Sequence, residues 1–149
     1  MKAVVTRVNS ASVSIDGAVH GMIGKGFLIL LGIGPEDTPA LCRKLAEKVL
    51  GLRVFRDEKD KMNRSLADIG GSVLVVSQFT LYGDVSHGRR PSFIGAAKPE
   101  LAIPLYEQFL AECKRLGFPP QHGEFGAYMQ VASENDGPVT LIVDTDDLR

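Results

Sequence analysis

Two short segments about sixty residues apart hold the residue types in this sequence that could do chemistry. Ser77-Gln78-Phe79-Thr80-Leu81 ends one apolar run, and Asn135-Asp136-Gly137-Pro138-Val139-Thr140 opens the last one. At the end of a strand, main-chain N–H groups can bind the oxygen of a reacting carbonyl. Glycine and proline predict a tight turn, because they break regular structure most strongly. Taken singly, neither segment identifies a reaction.

Thr80 raises the alternative of a threonine nucleophile, which would need an activating base. No histidine has a companion acid at a recognisable spacing, so the sequence predicts no triad; the three are His20, His87 and His122. Cys42 and Cys113 do not have the spacing of a metal site and fall in helix-like segments. We expect both to be buried structural thiols.

The Gly137-Pro138 pair has a second interpretation beside the turn. An X-Pro bond adopts the cis form at a cost of about 0.5–1 kcal/mol, and a cis bond turns two successive carbonyls to the same side. Two such carbonyls could hold the α-amino group and Cα–H of an aminoacyl ester without touching its side chain. Glycine suits this role because no Cβ obstructs a close approach.

Length and composition predict one domain, residues 1–149, with an ordinary apolar fraction of 44%. Seventeen basic against eighteen acidic residues give no overall attraction to nucleic acid, so any such contact must be local. The candidate is the loop Gly88-Arg89-Arg90-Pro91-Ser92-Phe93. No apolar run is long enough to span a bilayer, and the start shows no signal peptide. We therefore expect a cytoplasmic protein without membrane contact.

The order of the elements predicts an α/β fold with mixed sheets and two main helices. Thr38 and Pro39 predict the start of the first helix, whereas Pro99 and Gly117 bound the second. The expected strands are Lys2–Val8, Ala11–Ile15, Ala18–His20, Gly26–Ile33, Leu52–Phe55, Ser72–Gln78, Gly126–Ser133 and Val139–Thr145. Asn135 to Pro138 would connect the last two.

Together, these segments resemble the D-aminoacyl-tRNA deacylases, dimeric editing enzymes that remove D-amino acids from mischarged tRNA. The resemblance extends from Met1 to Val143 and includes Gly24-Lys25-Gly26, Lys61-Met62-Asn63 and Phe125-Gly126-Ala127. It implies the D-aminoacyl-tRNA deacylase-like fold, a homodimer, no metal and no cofactor. The loop Asp84-Val85-Ser86-His87 departs from the family pattern and leaves the detailed tRNA contacts open.

The resemblance also implies a reaction. The ester of D-aminoacyl-tRNA, and of glycyl-tRNA mischarged on tRNA-Ala, is cleaved to free amino acid and tRNA. The 2′-OH of the terminal adenosine helps to activate water, and backbone N–H groups form the oxyanion hole. A Gly-cis-Pro pair enters the partner's site and excludes L-amino acids, because their side chains would collide with its backbone.

Each implied role falls on particular residues of this chain. The catalytic segment is Ser77, Gln78, Phe79 and Thr80. Chiral selection across the subunits falls to Gly137 and Pro138, supported across the dimer by Arg7, although an arginine on a strand is usually solvated. The pocket for the terminal adenosine comprises Ala102, Phe125 and Met129, and the tRNA contacts are Arg89 and Arg90.

Three alternatives remain on sequence alone. An animal-type relative would have the proline trans and tolerate small L-amino acids. A non-catalytic RNA-binding dimer would use Arg89 and Arg90 without turnover. A conventional Thr- or Ser-based hydrolase would depend on the Thr80 hydroxyl.

Overall fold

The computed structural model describes residues 1–149 and has eight β-strands and three α-helices. The strands are β1 (Lys2–Ile15), β2 (Ala18–Ile23), β3 (Gly26–Gly32), β4 (Phe55–Arg56), β5 (Met62–Arg64), β6 (Ser72–Ser77), β7 (Gln121–His122) and β8 (Gln130–Asp144). The helices are α1 (Pro39–Leu50), α2 (Leu66–Ile69) and α3 (Pro99–Arg115). The predicted α/β fold with a mixed sheet and two main helices is confirmed.

The long strand β1 organises the main sheet. It pairs antiparallel with β3 through residues 2–8, with β2 through residues 11–15, and with β8 along nearly its whole length. β6 runs parallel to β3, and β7 parallel to β6. The sheet curls until β2 approaches β7, where a Cβ on Gly21 would lie 3.2 Å from the His122 carbonyl oxygen. The result is nearly a barrel in which β8 pairs on one edge only.

Both faces of the central strands are buried, which explains their continuous apolar runs. Phe27 and Ile29 of β3 join the larger core, which α1 and α3 cover, whereas Leu28 joins a smaller core inside the curl. β6 alternates in the same way, with Val75 in the larger core and Leu74 in the smaller one. Side chains of a strand alternate between faces, so one run of sequence supplies two cores.

The helix boundaries follow the predicted signals. The Thr38 hydroxyl accepts a hydrogen bond from the Leu41 N–H at 3.3 Å, with Pro39 at the first helical position. Gly117 follows α3 with φ +95°, a conformation that glycine adopts without strain. Tyr106 of α3 donates a hydrogen bond from its hydroxyl to the Val75 carbonyl oxygen at 3.1 Å, which ties the helix to the sheet. None of the helices is long and apolar enough to cross a bilayer.

The predicted pair of final strands is wrong, because the last segment is one strand, β8, along β1. The pairing runs from Thr6 with Thr140 to Val8 with Asn135, so residues 136–139 stand opposite Arg7 alone. We call Asp136–Val139 the Gly-Pro bulge. Asn135 to Pro138 do not reverse the chain, since β8 pairs with the same strand in the same direction on both sides of them.

Two smaller predictions also differ from the structure. The strand expected at Leu52–Phe55 is the two-residue β4, Phe55–Arg56, which pairs with β5 in a separate small sheet. The Ser77–Leu81 segment leaves the sheet at Gln78 and forms a 3₁₀ turn. Each difference arises because pairing ends where no neighbouring strand continues.

Candidate active site

The Ser-Gln-Phe-Thr-Leu segment ends in a short 3₁₀ turn, Phe79–Tyr82, which we call the site turn. Gln78 anchors its start, because its N–H donates to the Leu31 carbonyl oxygen of β3 at 2.7 Å. The first hydrogen bond of the turn runs from the Leu81 N–H to the Gln78 carbonyl oxygen at 3.2 Å. The N–H groups of Phe79 and Thr80 precede it and have no acceptor within the turn or capping side chain.

The site turn packs directly on two glycines at the end of β3. A Cβ on Gly32 would lie 3.0 Å from both the Gln78 carbonyl oxygen and the Leu81 Cβ. A Cβ on Gly34 would lie 2.9 Å from the ring of Tyr82. Both distances are shorter than ordinary van der Waals contact, so a side chain at position 32 would press on the backbone of the turn and one at position 34 would displace the Tyr82 ring. The position of the Phe79 and Thr80 N–H groups therefore depends most directly on the absence of a side chain at Gly32.

A concave space of about 360 Å³, which we call the site cavity, opens beside the turn. Its lining consists of Ser77, Phe79, Phe125, Gly126, Ala127, Tyr128 and Met129. Phe79 is 55% exposed and forms a wall rather than part of the core. Phe125 packs against Tyr106 with ring centroids 5.8 Å apart. Aromatic walls of this kind suit the stacking of a nucleobase.

The Met129 side chain packs over Gly123 where it lines the site cavity. A Cβ on Gly123 would overlap the Met129 sulfur, so the thioether occupies the space that a side chain at position 123 would need. Ala102, predicted to lie beside the adenosine, is buried in α3 and does not line this cavity. It belongs to the larger core, against which Phe125 packs.

The Thr80 hydroxyl has only one polar contact, the Gln78 side-chain amide, whose Nε2 donates to it. No histidine nitrogen and no carboxylate oxygen hydrogen-bonds to this hydroxyl. A threonine nucleophile needs a base within hydrogen-bond reach. The geometry gives Thr80 no such base.

Arg7 lies under the Gly-Pro bulge and is 2% exposed. Its Nε donates to the Asp136 carbonyl oxygen at 3.0 Å, and its Nη1 donates to the Val54 carbonyl oxygen at 2.6 Å. The Asp136 carboxylate, 3.2 Å from the same Nε, balances part of the buried charge. The structure thus differs from the expected solvated arginine. It also shows Arg7 supporting the bulge of its own chain.

Gly137 and Pro138 project from the surface, and the peptide bond between them is cis. They border a second space of about 280 Å³, the bulge cavity, together with Arg7, Arg56, Asp60, Met62 and Val139. The bulge cavity and the site cavity have no lining residue in common. One copy of the chain therefore does not bring the Gly-Pro bulge together with the site turn.

The basic loop is held closed at its base and joined to the site turn. The Asp84 N–H donates to the Ser92 carbonyl oxygen at 2.8 Å, and the Ser92 N–H returns a bond of 2.9 Å. Phe93 then meets Phe79 edge to face, with centroids 5.2 Å apart. Arg89 and Arg90 lie between, exposed and without an ion-pair partner in the chain. They are free to contact an anion near the site.

Burial is the main cause of the raised pKa values of the thiols and of Tyr82 and Tyr106. Burial raises the pKa of the Cys42 and Cys113 thiols to about 12, and neighbouring Glu112 adds to the effect. Desolvation raises the pKa of Tyr82, with further contributions from Asp37, Asp144 and Asp146. No three or more His, Cys, Asp or Glu side chains are grouped so that they could hold a metal ion.

Sequence reasoning missed the parts of the site that lack reactive groups. Gly32 and Gly34 read only as the end of an apolar strand, and their role depends on what lies above them. The bulge was missed because strand register cannot be read from one strand alone. Tyr128 could have been predicted near the site, since it lies in the sequence between Phe125 and Met129. Its residue type gave no indication that the ring would be fully exposed.

Known proteins resemble this chain over almost its whole length. The family model described as D-Tyr-tRNA(Tyr) deacylase matches residues 4–144. The "D-aminoacyl-tRNA deacylase" of Roseiflexus castenholzii is 58% identical, over 97% of this chain and 92% of the relative. The protein of the same description from Thermus aquaticus is 56% identical, over 97% of this chain and 95% of the relative.

Two solved structures have a similar fold. One described as "c-Myc DNA Unwinding Element Binding Protein" superposes with a TM-score of 0.91 at 44% identity, covering 97% of this chain and 98% of that one. A "probable eukaryotic D-amino acid tRNA deacylase" has a TM-score of 0.82 at 16% identity, covering 95% and 97%, and shows the fold alone. The family match and the sequence identities show that this chain belongs to the D-Tyr-tRNA(Tyr) deacylase family.

Proposed function

We propose that this chain is a hydrolase that cleaves the ester of D-aminoacyl-tRNA and releases the free D-amino acid and tRNA. The observation that carries the proposal is the site cavity, an aromatic-walled space beside two backbone N–H groups without acceptors, in a member of this family. Its partner is the 3′ acceptor end of aminoacyl-tRNA, and its place of action is the cytoplasm.

The chemistry proposed at the site turn needs no side chain that takes up a proton. The N–H groups of Phe79 and Thr80 bind the ester carbonyl oxygen as negative charge develops on it. Water attacks the carbonyl carbon with help from the 2′-OH of the terminal adenosine, and the adenosine 3′ oxygen leaves. Removing one such donor typically raises the barrier by about 2.7–4 kcal/mol.

The Gly-Pro bulge is proposed to act in the site of a second copy, which makes the protein a homodimer. Support comes from the separate cavities, since the bulge points outward and lines no part of its own site cavity. At the partner's cavity, the backbone of Gly137 and Pro138 would meet the Cα of the substrate. An L-side chain would then collide with it, whereas a D-side chain would point away.

The same geometry does not exclude glycine, because glycine has no side chain to collide. We therefore propose that glycyl-tRNA mischarged on tRNA-Ala is also cleaved. Arg89 and Arg90 would contact phosphates of the acceptor stem, where a guanidinium can pair with two oxygens at once. Their exposure and lack of ion-pair partners support this role.

Deacylation of matched D-Tyr-tRNA and L-Tyr-tRNA, with chelator present throughout, tests the activity. We expect rapid loss of the D-ester alone. Loss of neither ester would favour a non-catalytic RNA-binding dimer, and equal loss of both would refute selection by the Gly-Pro bulge. Mischarged Gly-tRNA-Ala in the same assay tests the glycine proposal.

Mixing two variants that are each impaired in a different half of the site tests whether the site is shared. Phe79→Ala impairs the cavity and Gly137→Ala impairs the bulge, so a heterodimer would hold one site built from two intact halves. After random exchange of subunits, we expect about a quarter of the wild-type rate, because half of the dimers have one working site of two. No recovery in mixed, folded dimers would contradict the proposal.

Gly137→Ala needs a stability control, because a Cβ at this position would lie 2.8 Å from the Val139 nitrogen of the same chain. Its melting temperature separates a local shift of the bulge from loss of the fold. Damage to activity beyond the loss of folded protein would support the proposed role. Turnover like that of the wild type in a folded Gly137→Ala dimer would count against it.

A further inference from the structure

Tyr128 is 99% exposed, although it lies beside a cavity with aromatic walls. Of the three tyrosines, Tyr106 is buried and Tyr82 is partly buried, so the exposure of this ring is not general in the chain. Tyr128 forms no hydrogen bond to another side chain. An aromatic ring held in solvent at the mouth of a binding cavity offers its face to a ligand.

A second space adjoins the site cavity through the same residue. This hairpin cavity, of about 390 Å³, is lined by Ser14, Asp16, Gly17, Tyr128, Met129 and Gln130. Tyr128 and Met129 line both spaces, so the two are neighbours separated by these side chains. A chain of two nucleotides can place one base in each space.

The polar groups of the hairpin cavity match the hydrogen-bond donors and acceptors of cytosine and do not match those of uracil. Asp16 offers carboxylate oxygens, which accept hydrogen bonds from the exocyclic amino group of cytosine. Gln130 and Ser14 offer an amide N–H and a hydroxyl, which can donate to the ring nitrogen and carbonyl oxygen of cytosine. Uracil has a carbonyl where cytosine has its amino group, and this carbonyl would face the carboxylate without a proton between them.

We propose that Tyr128 and the hairpin cavity bind the cytidine that precedes the terminal adenosine of tRNA. The inference rests on the proposed function, which places the terminal adenosine in the site cavity, and extends it by one nucleotide. Every tRNA ends in CCA, so this contact reads a feature common to all of them. It adds affinity for tRNA without selecting among tRNAs or amino acids.

The test compares two minimal substrates, the D-phenylalanyl esters of adenosine and of cytidylyl-adenosine. We expect the wild type to cleave the dinucleotide ester with a kcat/KM about tenfold higher or more, as expected for one stacked base. Tyr128→Ala should lower kcat/KM on the dinucleotide ester by a much larger factor than on the adenosine ester, and so remove this gain. Tyr128→Phe keeps the ring and should keep the gain, and Ile142→Ala, an exposed position on β8 that lines neither cavity, is the control for a surface change.

Asp16 supplies the test of base identity. Its φ of +51° is tolerated by glycine, so Asp16→Gly removes the carboxylate without straining the turn. The wild type should prefer the cytidylyl-adenosine ester to the uridylyl-adenosine ester, and Asp16→Gly should lose that preference. An equal rate on both esters in the wild type would refute the assignment of cytosine.

Binding can be measured without turnover, because the protein has no tryptophan and its fluorescence comes from three tyrosines. Cytidylyl-adenosine should quench the emission of Tyr128 more strongly than adenosine does, and Tyr128→Phe should lose this additional quenching. Equal quenching by adenosine and by cytidylyl-adenosine would place Tyr128 at the terminal base only and overturn the inference. A shift of Tyr128→Ala to monomer in sedimentation would assign the ring to a subunit contact and overturn it as well.

Failure of this inference and failure of the proposed function give different results. A wild type that cleaves D-esters of adenosine and cytidylyl-adenosine equally well contradicts the cytidine site alone. A wild type that cleaves no D-aminoacyl ester contradicts the proposed function, and the fluorescence titration then still decides whether the dinucleotide binds at Tyr128.

Discussion

The site turn and the Gly-Pro bulge reach their positions by opposite physical means. The site turn is seated against β3 because Gly32 and Gly34 leave space, whereas the bulge stands above β1 because the Arg7 side chain fills the space beneath it. The site turn is thus positioned by the absence of side chains beneath it, and the Gly-Pro bulge by the presence of one. The two segments should therefore respond to different substitutions. The site turn should be disturbed when a side chain is added beneath it, and the Gly-Pro bulge when the side chain beneath it is shortened.

The largest effect is expected at Arg7. Arg7→Met keeps the apolar stem but leaves the carbonyl oxygens of Val54 and Asp136 without their donor. An orphaned carbonyl costs about 1–3 kcal/mol when buried, so the buried Val54 and part-buried Asp136 carbonyls together should lower the free energy of unfolding by about 2–6 kcal/mol. Urea denaturation measures the change, and a loss under 1 kcal/mol would show that the bulge does not depend on this support.

The control for Arg7→Met is Arg43→Met on the exposed face of α1. Arg43 pairs only with Glu47, at 3.2 Å, in a surface ion pair. Such pairs contribute about 0–1 kcal/mol. Comparing the two variants separates loss of a buried guanidinium from loss of an arginine in general.

A smaller effect on stability but a large one on rate is expected from Gly32→Ala. The new Cβ would displace the Gln78 carbonyl and with it the two N–H groups proposed to bind the ester oxygen. A misplacement of about 1 Å can lower a rate by about a hundredfold, and the 3.0 Å contacts call for a smaller shift than that, so we expect kcat/KM on D-Tyr-tRNA to fall by about tenfold. Gly24→Ala, where nothing lies within 4 Å of the new Cβ, is the matched control.

Thr80→Ala tests whether the site turn tolerates the loss of a side-chain group, because it removes a hydroxyl from the turn and adds no atoms. If Thr80 only holds Gln78, we expect kcat to fall by less than about tenfold, as for loss of one ordinary hydrogen bond. Loss of a true nucleophile would cost on the order of 10⁶ in kcat. Single-turnover deacylation measures the difference, and abolished activity in the folded variant would restore the threonine-nucleophile alternative.

The smallest effect is expected on the pH dependence of stability, from the two thiols. Neither thiol belongs to the site turn or to the Gly-Pro bulge. The folded protein holds the protons of Cys42 and Cys113, because burial raises each pKa from 9.0 to about 12. The unfolded chain releases them near pH 9, so the free energy of unfolding should fall as the pH rises above that value. Urea denaturation from pH 8 to pH 10 measures this slope, and Cys42→Ser with Cys113→Ser should flatten it.

How far the sequence predicts the structure differs between the two segments. Ser77 to Thr80 end an apolar strand, so their place at the edge of the sheet follows from pattern alone. From the sequence alone, Arg7 is expected to be a solvated strand residue. Its burial could not be predicted, because it depends on a register shift in β8, a strand far away in the sequence. Ala102 belongs to the larger core, and its place there depends on which face of α3 packs against the sheet. Local pattern predicts elements, but what lies above or below a residue comes from pairing over long distances.

The irregular middle of β8 has a consequence for how the protein behaves in solution. A long strand with one free edge is a template on which other chains can add strands and form aggregates. Here the edge is interrupted by Pro138, which has no N–H to offer, and by the mismatch opposite Arg7. A bulge of this kind twists and bends the strand, so a flat, uninterrupted ladder cannot form along it. The segment proposed to recognise the substrate should therefore also hinder the pairing of further strands along β8.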